Sequence, residues 1–124
     1  MDRLFVTIGA LSGFIAVAAG AFGAHALRDR LSPDMLAVFQ TGTSYQMYHA
    51  LALVGVAILL GRFSVNGSPF LTGAGWLFVA GTLLFSGSLY ALALSGVTWL
   101  GAITPLGGVA FLLGWLALAI GIWR

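Results

Sequence analysis

Four long stretches of the chain are almost unbroken in apolar side chains, and short polar segments separate them. They run over residues 4–27, 43–61, 70–94 and 105–123. An α-helix needs about 20 apolar residues to cross a hydrocarbon core roughly 30 Å thick, and each stretch meets or approaches that length. Backbone polar groups in hydrocarbon must be satisfied within their own segment, so such stretches take the form of helices. The pattern predicts an all-α integral membrane bundle of four spans, a single transmembrane domain over residues 1–124.

The segments between the runs carry start and stop signals. Ser32, Pro33 and Asp34 read as an N-cap, a first-turn proline and an acidic charge at a helix start. A short amphipathic helix over residues 33–41 follows, with Met35, Leu36 and Phe39 on one side, and it is expected to lie in the membrane interface. Gly42 is expected to end it. Thr43 with Gln46 three residues on fits a capping box opening the second span. Asn66-Gly67 marks a turn, and Ser68-Pro69 repeats the cap-plus-proline signal before the third span. Gly96 closes that span, and Thr104-Pro105 opens the fourth. The first run overshoots the ~7–15 apolar residues of a secretory leader, so it is expected to stay attached as a span.

Composition narrows the chemistry. Of 124 residues, 60% are hydrophobic and only 6% charged, far below the quarter that a soluble domain carries. The chain has no cysteine, which removes thiol nucleophiles, thiolate metal sites and disulfides together. Its five arginines and three aspartates lie outside the apolar runs and do not cluster, so no nucleic-acid surface is formed. No cofactor or metal is expected. The partners expected are the lipid bilayer itself and either further copies of the chain or a larger membrane complex.

Four alternating spans put both termini on one membrane face, with Arg3, Arg62 and Arg124; Arg28 and Arg30 lie on the other. The arginine count leans toward termini in the cytoplasm of a bacterial inner membrane. Sorted by depth, His25, Tyr45, Tyr48, His49, Ser86, Tyr90 and Thr104 gather in the half away from the termini. Trp76, Trp115 and Trp123 fall in the other half, as an aromatic belt. Residues three and four apart share a helix face, so Tyr45, Tyr48 and His49 point one way. A polar pocket confined to one leaflet is therefore expected, with His25 and His49 both facing the interior. It reads as interhelical hydrogen-bond glue, as a proton- or solute-handling site, as a metal or haem site on the two histidines, or as a docking face for a lipid, quinone or subunit. Small residues mark two packing seams. Gly9, Ser12, Gly13, Ala16, Gly20 and Ala24 line the first span, and Gly107, Gly114 and Gly121 recur every seventh residue in the fourth.

The segments "GAFGAHAL", "TGTSYQMYHALAL", "LFSGSLYALAL" and "GAITPLGG" together resemble the domain-of-unknown-function 423 family, small bacterial membrane proteins similar to the eukaryotic transmembrane protein 256. The resemblance covers nearly the whole chain. It implies a four-span inner-membrane protein, mitochondrial in animal relatives, and brings no activity with it. The family's characteristic segments fall on His25, Tyr45, Gln46, His49, Ser86, Ser88, Tyr90, Thr104 and Pro105. The functional expectation is a non-enzymatic accessory, assembly or self-associating membrane protein. The competing expectation is a small-solute or proton transporter or channel that uses the His/Tyr pocket.

Overall fold

A computed structural model describes residues 1–63 and 68–124, apart from the side chain of Ala24, so the Asn66-Gly67 turn and the Ala24 position of the first seam lie outside the described residues. Helix α1 spans Asp2–Ala26, α2 Pro33–Phe63, α3 Pro69–Gly81, α4 Gly87–Ser95 and α5 Thr104–Gly121. A π-helical segment, Thr82–Ser86, joins α3 to α4 without a break, and a 3₁₀ segment, Thr98–Ala102, precedes α5. Among the described residues there are no strands, and four helical runs are long and apolar enough to cross a membrane.

Helix ends follow the local chemistry. The Ser32 hydroxyl accepts from the Met35 N–H at 3.2 Å, and the Ser68 hydroxyl from the Leu71 N–H at 3.3 Å, each with proline next in line. Gly96 adopts φ +73°, the left-handed region, and its N–H returns to the Leu92 carbonyl at 2.8 Å.

One boundary differs from the sequence expectation. Residues 33–41 are not a separate interfacial helix: α2 continues through Gly42 as one helix of 31 residues. At ~1.5 Å per residue it is about 46 Å long, more than a hydrocarbon core roughly 30 Å thick requires. Glycine inside a helix costs only about 1 kcal/mol, and here it admits a neighbour: a Cβ at Gly42 would lie 2.8 Å from Tyr90. No capping box forms. The Thr43 hydroxyl donates to the Gln40 carbonyl of its own helix at 2.8 Å, and Gln46 reaches other helices.

The packing centres on α2, which lies between α1 and the third span, while α5 packs along α3 and reaches α2 through Phe111 and Trp115. Two helices in lipid gain little hydrophobic free energy by meeting, so close backbone approach carries much of the association. On α1, Gly9 lies against Val54 and Ala50, Gly13 against Ala50 and Met47, Gly20 against Thr43 and Gly23 against Phe39, while Ala16 is buried. On α5, Gly107 meets Phe85, Gly114 meets Phe78 and Gly121 meets Leu71. Those partners are also seven apart, so the two antiparallel helices match residue for residue. The apolar core of Phe5, Leu53, Val56, Leu60, Leu71, Phe78 and Phe111 fills the half of the bundle nearer the termini.

The seam predicts a contrast between glycines. Gly107→Val must displace the Phe85 backbone and is expected to destabilise the bundle by about 1–3 kcal/mol, the scale of an overpacked core. Gly73 has nothing within 4 Å, so Gly73→Ala is expected to be neutral or to stabilise by up to ~1 kcal/mol. Equilibrium unfolding in mixed detergent micelles measures both, and equal effects would refute the seam.

Candidate functional site

The polar side chains lie on the side of the apolar core away from the termini, with His49 at the boundary. Gln46 is the hub. Its amide nitrogen donates to the Ser12 carbonyl at 3.0 Å and to the Ser12 hydroxyl at 3.2 Å, and its amide oxygen accepts from the Tyr90 hydroxyl at 2.6 Å. One side chain thereby ties α1, α2 and α4. One turn away the Ser86 hydroxyl donates to the Gly42 carbonyl at 2.7 Å, and Ser88 shares a 2.6 Å hydrogen bond with Thr104 at the start of α5. Thr104 is thus spent on an interhelical bond rather than on capping its own helix.

His49 is 5% exposed and uses both ring nitrogens. The Trp115 indole N–H donates to Nε2 at 3.1 Å, and Nδ1 lies 2.8 Å from the Tyr45 carbonyl. An indole can only donate, so Nε2 is the acceptor and Nδ1 carries the proton, which it gives to the carbonyl. The ring also lies flat on Phe111, with centroids 3.5 Å apart and planes inclined by 8°, and it is flanked by Phe78 and the Tyr45 ring. Tyr45 lines the groove between α2 and α5, its ring 4.7 Å from that of Phe85. Among the described residues every buried side-chain nitrogen or oxygen has a partner.

Two expected members stand apart. His25 is exposed on the last turn of α1. It follows Gly23 by two residues, about 200° round the helix, so a seam that turns Gly23 toward α2 turns His25 away. The two histidines also differ in depth: Gly23 sits beside Phe39, ten residues before His49 in α2, about 15 Å along the axis. The expectation that His25 and His49 face a common interior is therefore corrected. It started the second span at Thr43, whereas α2 starts at Pro33 and His49 lies near its middle. Tyr48 is 58% exposed, again about 200° from Gln46, and its ring lies 5.6 Å from that of Tyr45. Conversely, Gln46 and Trp115 are part of the network although the sequence suggested a cap and a belt residue. The signal for Gln46 was present, since 46, 49, 50 and 53 follow the spacing of one buried helix face.

Chemically the arrangement joins helices. Among the described residues no group of three or more histidines, aspartates or glutamates lies close enough to hold a metal ion. Two openings flank His49. A crevice of about 260 Å³ lies between α1 and α3 over α2, and a groove of about 430 Å³ runs between α2 and α5. Phe5, packed edge-on against Trp76 at 5.3 Å, closes the crevice toward the termini.

Four apolar spans, two glycine seams and an internal hydrogen-bond network define a small polytopic helical membrane protein. The chain belongs to the family described as "Protein of unknown function (DUF423)", which it matches over residues 19–108. It is 47% identical over 122 residues to a UPF0382 membrane protein of Staphylococcus saprophyticus, covering 98% of each chain. It is 48% identical over 118 residues to the UPF0382 membrane protein YwdK of Bacillus subtilis, covering 95% of this chain and 94% of that one. No solved structure matches the chain. The family suggested by the sequence motifs is the family found, and these relatives are named as membrane proteins.

The network separates the two histidines. His49→Ala removes a ring stack and two hydrogen bonds, so it is expected to destabilise the bundle by on the order of 2 kcal/mol. His25→Ala is expected to stay within about 0.5 kcal/mol of the parent. In a double-mutant cycle, Gln46→Leu and Tyr90→Phe should couple by about 0.6 kcal/mol, the average for a membrane hydrogen bond. Equilibrium unfolding reads all three, and strict additivity of the last pair would break the hub.

Proposed function

We propose that the chain acts as a non-enzymatic accessory or assembly subunit, or as a self-associating bundle, in a bacterial inner membrane with both termini in the cytoplasm. The observation that carries this reading is how the polar groups are used. Gln46, Ser86, Ser88 and His49 are each engaged with a neighbouring helix or a backbone carbonyl. A nucleophile paired with a free base, the minimum for covalent catalysis, does not arise from such an arrangement. The bundle is also thin: α1 rests mainly on α2, and its outer face carries Leu11, Phe14, Val17 and Phe22, all more than half exposed. Lipid or a protein partner covers that face, and a small bundle gains from a partner's additional packing. The three arginines near the termini support the cytoplasmic placement.

A second reading has its own observation. His49 lines both the α1–α3 crevice and the α2–α5 groove, so one side chain partitions two openings near the middle of the membrane, as a gate in a transport path would. On that reading, proteoliposomes show flux of protons or a small solute, and the flux disappears in His49→Gln.

Native mass spectrometry from a mild detergent tests the accessory reading. Dimers, higher assemblies or a stoichiometric partner protein are expected. A strictly monomeric chain without any protein partner would overturn it.

A further inference from the structure

The α1–α3 crevice is lined by apolar walls, Ile8, Leu11, Ile15, Val79 and Leu83 among them, and by four polar residues, Ser12, Gln46, His49 and Thr82. Gln46 and His49 already have partners on each side-chain polar atom. The two hydroxyls differ. The Ser12 oxygen accepts from Gln46, which leaves its proton to donate. Thr82 is half-buried, and among the described residues no hydrogen bond holds its hydroxyl. Thr7, Thr41 and Ser95 instead turn theirs back onto the carbonyl four residues earlier. Thr82 also opens the π-helical segment, an irregularity frequently found at functional sites.

Depth decides what could meet these hydroxyls. Thr82 is thirteen residues from each end of the Pro69–Ser95 run, about 20 Å from either end. Ser12 and His49 lie near the middle of α1 and α2. Water is scarce there, and an unpartnered hydroxyl in hydrocarbon is unfavourable. Phospholipid ester carbonyls lie at the edge of a core ~30 Å thick, about 15 Å away. An acyl chain reaches the crevice but has no acceptor to offer. The occupant must be a neutral molecule that lives within the hydrocarbon and carries a carbonyl oxygen on an apolar body. The space, about 260 Å³, falls just below the ~300–1,000 Å³ of sites that enclose drug-sized ligands, so it takes a ring and leaves a tail in the lipid.

We infer that the crevice between α1 and α3 binds the ring of a prenylated quinone, with the Thr82 and Ser12 hydroxyls donating to its carbonyl oxygens and the tail leaving past Leu83 into the bilayer. The claim is one of binding, and it goes beyond the accessory role: a chain that oligomerises without taking up the quinone refutes this site and leaves that role standing.

Saturation binding of a decyl-substituted benzoquinone to the full chain in detergent micelles tests it, with decylbenzene as the matched probe lacking carbonyls. One quinone per chain is expected, with no saturable uptake of decylbenzene. Thr82→Val keeps the shape and removes the hydroxyl, so it should raise Kd about fivefold, the loss of one ordinary hydrogen bond. Leu83→Trp fills the mouth from an exposed position and should abolish binding while circular dichroism stays unchanged. Uptake that never saturates, equal affinity for decylbenzene, or a Kd unmoved by either substitution would each overturn the site.

Discussion

The amide of Gln46 is the point on which the arrangement of helices depends. In water, apolar faces meet because they leave solvent; in a bilayer, lipid tails are as apolar as leucine and that drive is absent. Direction must then come from hydrogen bonds and from places where backbones fit closely. Gln46 supplies donors to α1 and an acceptor to α4 from the middle of α2, so it fixes the rotation of three helices together. The Ser86–Gly42 bond one turn away holds the crossing of α2 with the third span, and the absence of a side chain at Gly42 lets Tyr90 approach.

The glycine seams complete what the polar groups begin. The matched heptads of α5 and α3 set the fourth span on the third, and the seam of α1 sets the first on the second. Because α1 touches the third span chiefly through Phe5 near the termini, the bundle stays open above that contact. The crevice is therefore a consequence of the packing scheme: one helix pair closes at its end and parts at its middle. His49 is held at that opening by Trp115 and Phe111 from the opposite side.

Much of this was legible in the sequence. The four runs, the Ser32 and Ser68 caps, the left-handed Gly96 and the heptad of Gly107, Gly114 and Gly121 all follow from local chemistry that lipid does not alter. The break at Gly42 did not occur, because a local stop signal competed with a longer-range stripe. Phe39, Gly42, Gln46, His49, Leu53, Val56 and Leu60 keep a three-or-four spacing of buried positions straight through it. Starting the helix at Pro33 moved His49 to the middle of its helix and separated it from His25. Tyr45 and Tyr48 drew attention as rings, yet rotation is set by the whole stripe, which leaves Tyr48 outside. Trp115 matched a belt residue by type. Its pairing with His49 across 66 positions is a tertiary contact with no local signature.

The central claim is that the Gln46 side chain bridges α1 and α4 rather than serving its own helix. Solid-state NMR of the chain in lipid bilayers, with glutamine side chains labelled, addresses it directly. The account predicts cross-peaks from the Gln46 amide to both Ser12 and the Tyr90 ring. Cross-peaks confined to Gly42 and Thr43 of its own helix, or to water, would contradict it.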